Sequence, residues 1–269
     1  MTEREAVLEI EDLHVHFSRR REVTKAVDGV SLTLHRGETL GLVGESGCGK
    51  SSLVKTIFGI NTPTSGTIRV FGEDLATLPA RRRRQLQNRV QLVFQDPYSS
   101  LDPRLSAHDI VAEPLVIHHR YSKDRVVELL DSVGIGADAL RKTPAQFSGG
   151  QRQRLGIARA LALQPDVLVL DEPVSALDVS VQAQVVNLLL DLQASRGLSY
   201  LFIAHDLSVV RYLSDRVAVM RQGRIVETGA SDEVFERPRD PYTRMLLDAI
   251  PIPDPHARPR PSPSRTTTT

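Results

Sequence analysis

Alternation of apolar and polar residues dominates the first hundred positions of the chain, and a period of two indicates half-buried β-strands. The stretch from Thr39 to Val43 is instead almost continuously apolar, which indicates a strand buried on both faces. The predicted strands of this part are Leu8–Phe17, Val27–Leu34, Thr39–Val43, Gly66–Phe71 and Val90–Phe94. A helix is predicted over Lys50–Gly59, directly after a glycine-rich turn that follows the third strand.

The period changes in the middle of the chain. Over residues 105–163 apolar residues recur at three-to-four spacing, which is typical of amphipathic helices. Val126, Leu129, Leu130 and Val133 show this spacing best. Because no comparable apolar strand occurs here, we expect a helical insertion.

Strand character returns in three apolar runs, Val167–Leu170, Leu201–Ala204 and Val217–Met220. A helix separates the first two runs. Its predicted apolar face consists of Val181, Val185, Leu188 and Leu192. Strands that alternate with helices predict an α/β fold with a mostly parallel sheet.

Composition and charge exclude several classes of protein. The 34 Lys and Arg residues balance 33 Asp and Glu residues, so no global positive field points to nucleic acid or to an anionic membrane surface. The run Arg81–Arg84 is interpreted as a solvated helix face, because aromatic residues are not interleaved with it. The single cysteine, Cys48, supplies neither a disulfide nor an iron–sulfur ligand set, which fits a reducing compartment.

Targeting signals are not expected either. Residues Met1 to Leu13 lack the basic-then-apolar order of a signal peptide. No window reaches the ~18 apolar residues that span a bilayer, so any membrane role is expected to come through a partner.

The strongest chemical signal is the segment GESGCGKS at residues 44–51, which matches the phosphate-binding loop and lies between a buried strand and a helix. Glycines let backbone N–H groups converge on phosphate oxygens, and the helix N-terminus adds partial positive charge. Lys50 is suited to the outer phosphates and Ser51 to magnesium. The predicted nucleotide-binding residues here are Gly44, Glu45, Ser46, Gly47, Cys48, Gly49, Lys50, Ser51 and Ser52.

A second signal is the buried strand Val167–Leu170, which ends in Asp171 and Glu172. Strand ends carry binding sites in parallel sheets. Asp171 is suited to hold magnesium, and Glu172 to polarise an attacking water. Taken alone, such a carboxylate pair is more often a loop or a helix cap.

A third signal is Phe147–Gln151, which precedes an amphipathic helix. The helix start and the two glycines, Gly149 and Gly150, offer unpaired backbone donors to an anion. The alternative is an ordinary turn in which Ser148 is the N-cap of the helix.

Together these segments resemble the nucleotide-binding subunit of an ATP-binding cassette (ABC) transporter over nearly the whole chain. Ser148, Gly149, Gly150 and Gln151 resemble the family signature, preceded by Phe147 where leucine is most usual. Four further family motifs match in the expected order. Gln95 matches the Q-loop glutamine, and residues 175–178, which end in Asp178, match the D-loop. His205 matches the switch histidine, and Phe17 matches the aromatic residue that stacks on adenine.

The resemblance implies the fold, the cofactors and the roles of these residues. The fold is a RecA-like P-loop NTPase core with a mostly parallel sheet, an antiparallel β subdomain and a helical signature subdomain. ATP and Mg2+ are the implied cofactors, with Ser51, Gln95 and Asp171 near the metal and Glu172, His205, Gln95 and Lys50 as catalytic residues. Two ATP molecules lie between two subunits, each subunit completing the site of the other with its signature.

Finer similarity points to one subfamily. Residues 95–104 and 240–253 are similar to the oligopeptide and dipeptide importers. This similarity implies import of peptides at the cytoplasmic face of the cell membrane. The implied partners are a second ATPase subunit, identical or homologous, two membrane permease subunits and, indirectly, an extracytoplasmic solute-binding protein, but no nucleic acid.

We expect a nucleotide-binding domain over residues 1–230 with the helical segment 105–163 inserted in it. Residues 231–255 resemble the peptide-importer extension, and the proline- and threonine-rich residues 256–269 are expected to form a disordered tail. Two alternatives remain: an importer of nickel, glutathione or a sugar, and a soluble ABC ATPase of DNA repair or translation. Soluble ABC ATPases usually carry either a long coiled coil, for which the interval 96–146 is too short, or two cassettes, whereas this sequence has one phosphate-binding loop.

Overall fold

The computed structural model describes residues 5–19, 22–96 and 100–249, which form two β-sheets and a group of helices. The strands are β1 (Ala6–Arg19), β2 (Glu22–His35), β3 (Thr39–Val43), β4 (Ser65–Val70), β5 (Glu73–Asp74), β6 (Val90–Val93), β7 (Val167–Asp171), β8 (Ser199–Ile203), β9 (Arg216–Arg221) and β10 (Arg224–Ala230). The helices are α1 (Lys50–Ile57), α2 (Ala80–Asn88), α3 (Ala107–Ile117), α4 (Lys123–Ser132), α5 (Gly149–Leu161), α6 (Val179–Arg196), α7 (Leu207–Leu213), α8 (Ser231–Glu236) and α9 (Pro241–Asp248).

The larger sheet has the strand order β10-β9-β3-β8-β7-β6. All neighbours in it are parallel except the edge strand β10, which pairs antiparallel with β9. Consequently the carboxyl ends of β3, β6, β7 and β8 meet at one edge of the sheet. This edge is where parallel sheets carry ligands.

The smaller sheet is antiparallel, with the order β2-β1-β4-β5. Its core is the long hairpin of β1 and β2, whose register shifts between Ile10 and Leu13. Gly66 of β4 has a φ of 91°, and a side chain there would overlap the backbone of Asp12. A glycine therefore lets β4 approach the bulged part of β1.

Two hydrophobic clusters cover the two faces of the larger sheet. Leu168 and Leu170 of β7 belong to the cluster that includes helices α3 to α6, whereas Val167 and Val169 belong to the cluster shared with the antiparallel sheet. Burial on both faces explains why the central strands lack polar alternation.

The helical region contains α3, α4 and α5, which pack on one another. Val126, Leu129, Leu130 and Val133 are fully buried, as their spacing predicts. Their cluster continues into the sheet face below, so these helices share one core with the sheet.

The predicted fold class is confirmed, and two details differ from the expectation. The buried stripe of α6 is formed by Val185, Val186, Leu189 and Leu192, whereas Val181 and Leu188 are only half-buried. Strand β10 and helices α7 to α9 were not predicted individually. The expected tail 256–269 lies outside the described residues, and the domain limits stay a prediction.

Across the described ranges, no helix combines the length and the apolar character that a bilayer crossing requires.

Candidate functional site

The phosphate-binding loop connects β3 to α1, and its glycines are required by backbone geometry. Gly44, Gly47 and Gly49 have φ angles of 153°, 80° and 118°, in the region that L side chains rarely adopt. A side chain on Gly49 would overlap the carbonyl oxygen of Ala26, and one on Gly44 that of Met220. The loop can thus lie tightly between β2 and β9 only with glycine at these positions.

Lys50 is buried and folds back over this loop. Its Nζ donates hydrogen bonds to the carbonyl oxygens of Gly44 at 2.7 Å and Glu45 at 3.0 Å, and it lies 3.6 Å from the Sγ of Cys48. The ammonium is therefore held against the loop by oxygen atoms that a phosphate can replace. Ser51 is exposed and Ser52 is half-buried at the start of α1.

Three predicted catalytic side chains meet at the ends of β6, β7 and β8. The Nε2 of Gln95 donates to the Oε2 of Glu172 at 2.7 Å, and the Nδ1 of His205 lies 3.3 Å from the same oxygen. Glu172 has a φ of 47°, and its N–H donates to the carbonyl oxygen of Ile203 at 2.8 Å. The left-handed backbone turns the carboxylate toward its two partners.

Asp171 is the last residue of β7 and is half-buried. Burial raises the pKa of its carboxyl, the neighbouring charge of Glu172 raises it further, and Lys50 opposes both effects. A bound cation would relieve this cost. The oxygen donors of Ser51, Gln95 and Asp171 are of the hard type that Mg2+ prefers, so the residues present fit that ion.

The predicted signature lies at the start of α5. Ser148 caps this helix by accepting from the N–H of Gln151 at 3.2 Å, and Gln151 Oε1 accepts from the N–H of Ser148 at 3.0 Å. The N-cap interpretation of Ser148 is thus correct. It does not conflict with anion binding, because Gly149 and Gly150 keep their N–H groups at the open first turn.

The signature packs on the predicted D-loop rather than on the phosphate-binding loop. A side chain on Gly150 would overlap Val181 at the start of α6, and one on Gly149 would lie 3.2 Å from Leu177. Asp178 caps α6 by accepting from the N–H of Val181 at 3.0 Å. Among the residues that the structure describes, 148–151 make no hydrogen bond to residues 44–51 or to Glu172.

Phe17 lies in β1, where 44% of its surface is exposed. Its register partner is Thr24 of β2, two residues before the Ala26 whose carbonyl contacts the phosphate-binding loop. An exposed aromatic ring on the strand pair that contacts this loop is available for stacking on a base. Its role remains a prediction, as do the roles of the other site residues.

One contact of the loop was not predicted from sequence. The hydroxyl oxygen of Tyr242, in α9, accepts a hydrogen bond from the N–H of Glu45 at 3.1 Å. Tyr242 is buried, and the guanidinium of Arg221 lies 4.8 Å from its ring centroid. Helix α9 is thereby tied directly to the phosphate-binding loop.

Two family models match the chain. The model described as ABC transporter matches residues 27–175, and the model described as Oligopeptide/dipeptide transporter, C-terminal region matches residues 226–268.

Curated relatives are similar over most of the chain. The oligopeptide transport ATP-binding protein OppF of Bacillus subtilis is 50% identical over 93% of this chain and 84% of its own length. The dipeptide transport ATP-binding protein DppF of Lactococcus lactis is 49% identical over 94% of this chain and 84% of its own. OppD of Mycobacterium tuberculosis is 57% identical over 85% of this chain, which spans only 38% of that relative's length.

Solved structures share the fold. A dimeric post-hydrolysis state of the ATP-binding cassette MJ0796 with ADP and Pi has a TM-score of 0.75 and 26% identity, covering 83% of this chain and 98% of that one. The cbiO1 component of the cbiONQ transporter from Clostridium perfringens has a TM-score of 0.77 and 29% identity, covering 87% of this chain and 92% of its own.

Proposed function

Because the chain belongs to the ABC transporter family, we propose that it is the ATP-hydrolysing subunit of an importer for oligopeptides or dipeptides. The observation that carries the hydrolytic part is the position of Glu172, held by Gln95 and His205 at the sheet edge that also bears the phosphate-binding loop. The match of residues 226–268 supports peptides as the cargo.

The first step is binding of the triphosphate. Backbone N–H groups of residues 44–51 surround the phosphates, and Lys50 exchanges its carbonyl partners for phosphate oxygens. Phe17 stacks on the base. Magnesium, held by Ser51, Asp171 and Gln95, would neutralise charge that develops on the phosphates during transfer.

The second step is attack by water, for which Glu172 is the proposed base. Its Oε2 is occupied by Gln95 and His205. Its Oε1 makes no hydrogen bond within the described part of the chain and is the oxygen that would accept from water. His205, 59% exposed beside it, is free to turn toward the terminal phosphate.

A second ATPase subunit completes the site in this proposal. Residues 148–151 offer donors but lie apart from the chain's own phosphate-binding loop, so they are positioned to serve another molecule. The dimer of MJ0796 with ADP and Pi supports this arrangement. The second subunit is either a homologous chain or a second copy of this one. In a purified preparation of this chain alone, only a second copy is present to pair with it.

Membrane permease subunits are proposed to bind a groove between β6 and α3. This cavity of about 510 Å³ is lined by apolar residues that include Ile60, Phe94 and Ile117. All three are exposed, at 66%, 47% and 65%. The groove adjoins Gln95, which donates a hydrogen bond to Glu172, so a movement of the permease would shift Glu172 through Gln95. In this proposal the chain works at the cytoplasmic face of the membrane, with a solute-binding protein on the other side.

Uptake of a labelled tripeptide by cells that rely on this chain tests the proposal. Lys50→Ala and Glu172→Gln, expressed at wild-type levels, should abolish uptake. Lys55→Ala removes an exposed lysine from the same helix α1 and should leave it intact. Undiminished peptide uptake in the Lys50→Ala cells would refute the proposed function.

A further inference from the structure

Two histidines and an aspartate meet on the antiparallel sheet, away from the catalytic cluster. His14 and His16 are two residues apart in β1 and therefore share one face of the strand. Asp28 of β2 is the register partner of His14. Its Oδ1 lies 3.3 Å from the Nδ1 of His14 and 3.4 Å from the Nε2 of His16. We propose that these three side chains bind a divalent transition-metal ion such as Zn2+.

The distances fit such an ion. Zn2+ binds nitrogen and carboxylate oxygen at about 2.0–2.2 Å in tetrahedral geometry, which separates the ligand atoms by about 3.3–3.6 Å. The two distances to Asp28 fall in this range, and all three ligand atoms lie within 4.8 Å of one another. An ion can enter with side-chain adjustments alone.

Surrounding groups orient the ligands as they do in metal sites. The Nε2 of His14 lies 3.1 Å from the Oδ1 of Asp12, so that carboxylate can accept the Nε2–H and leave Nδ1 for the ion. Arg224 donates to the Oδ2 of Asp28 at 2.6 and 3.0 Å, which leaves Oδ1 available. The Nε2 of His16 is buried, and its 3.4 Å contact with Asp28 does not have hydrogen-bond geometry.

A cation is already attracted to this position. The Nζ of Lys25 lies 3.5 Å from the Oδ1 of Asp28, on a side chain that is 56% exposed. A metal ion would compete with this ammonium, which can swing into solvent. Two imidazoles favour Zn2+, Ni2+ or Cu2+ over Mg2+, so the site is chemically distinct from the oxygen ligands at the phosphate-binding loop.

The site is independent of the proposed ATPase activity. Its residues take no part in the hydrolytic cluster, although His16 immediately precedes Phe17. Failure of metal binding would therefore leave the proposed function untouched, and failure of peptide uptake would leave the metal site untouched.

Zn2+ affinity of the tag-free, full-length chain without nucleotide tests the site, measured by competition with a chromophoric chelator. Wild-type protein should bind one Zn2+ that Mg2+ does not displace. Asp12→Asn should weaken this binding about 10- to 100-fold through the orientation of His14, and His16→Ala should weaken it further. Lys25→Gln should strengthen it, because the competing ammonium is gone.

His108→Ala is the matched control, because His108 also faces an aspartate, Asp109, at 3.1 Å but forms no two-histidine cluster within the described residues. It should bind Zn2+ like the wild type. Asp12 is exposed and Asn tolerates its φ of 43°, so Asp12→Asn remains informative should His16→Ala unfold. Wild-type protein without a bound Zn2+, or equal affinity in wild type, Asp12→Asn and His16→Ala, would overturn the proposal.

Discussion

At the scale of single residues, the proposed ATP hydrolysis depends on how Glu172 is held. Its φ of 47° is uncommon for a residue other than glycine, and such strain concentrates at functional sites. Gln95 and His205 both contact the same carboxylate oxygen, Oε2. The arrangement fixes one oxygen and leaves the other for water.

Glu172→Gln should lower the rate of ATP hydrolysis about 10²- to 10⁴-fold, which is the usual contribution of a general base. ATP affinity should be retained, because the amide still accepts from Gln95 and no phosphate contact is lost. Steady-state hydrolysis and nucleotide titration measure the two quantities separately. A variant with wild-type turnover would show that Glu172 is not the base.

Asp171→Asn should stabilise the nucleotide-free chain, since it removes a charge whose burial raises the pKa of the carboxyl. A gain of ~1 kcal/mol would raise the melting temperature by about 2–4 °C in a chain of this size. The further stabilisation that Mg–ATP gives to the wild type should disappear. Asp191→Asn, at an exposed position of α6 outside the predicted site, is the control and should change neither value. Thermal unfolding of the wild type and both variants, with and without Mg–ATP, measures these effects. A melting temperature of nucleotide-free Asp171→Asn below that of the wild type would contradict the prediction.

At the residue level, the sequence best predicts where side chains lie when one short segment defines the local structure. The loop at 44–51 is recognisable alone, and Asp171 and Glu172 follow from a buried strand that ends in carboxylates. The contact between Tyr242 and Glu45 could not be predicted, because it joins positions 197 apart by one hydrogen bond and follows no periodic pattern.

At the scale of elements, two of the three glycines in helix α5 differ in their surroundings. A side chain on Gly150 would overlap Val181 of α6, whereas one on Gly156 would meet nothing within 4 Å. Gly150 thus sets how closely α5 approaches α6, and Gly156 does not.

Gly150→Ala should therefore destabilise the chain by about 1–3 kcal/mol through overpacking. Gly156→Ala should stabilise it by about 0.5–1 kcal/mol, because alanine favours a helix interior. Urea unfolding of both variants measures the difference. Equal stability of the two variants would show that α5 and α6 are not in close contact.

Elements were predictable in proportion to their burial. Strands β3 and β7 are buried on both faces, and their apolar runs mark them clearly. Strand β10 is an edge strand whose residues are mostly half-buried or exposed, so its sequence lacks a clear period. Helix α8 has only six residues, too few to show the helical period.

At the scale of the whole molecule, the chain carries two sets of predicted site residues that lie apart. One comprises the phosphate-binding loop with Asp171, Glu172, Gln95 and His205. The other is the capped start of α5 at residues 148–151, which packs on α6 instead. The family resemblance predicts that the two sets act together across two subunits, and the folded chain places them apart within one molecule, as that prediction requires.

The central claim is that a second subunit joins these two sets around ATP. Sedimentation velocity of the Glu172→Gln chain, with and without Mg–ATP, tests it most directly, since slow hydrolysis preserves the bound state. We predict a monomer without nucleotide and a dimer of twice the mass with Mg–ATP. A chain that remains monomeric while saturated with ATP, both alone and after addition of the homologous ATPase subunit, would contradict the account.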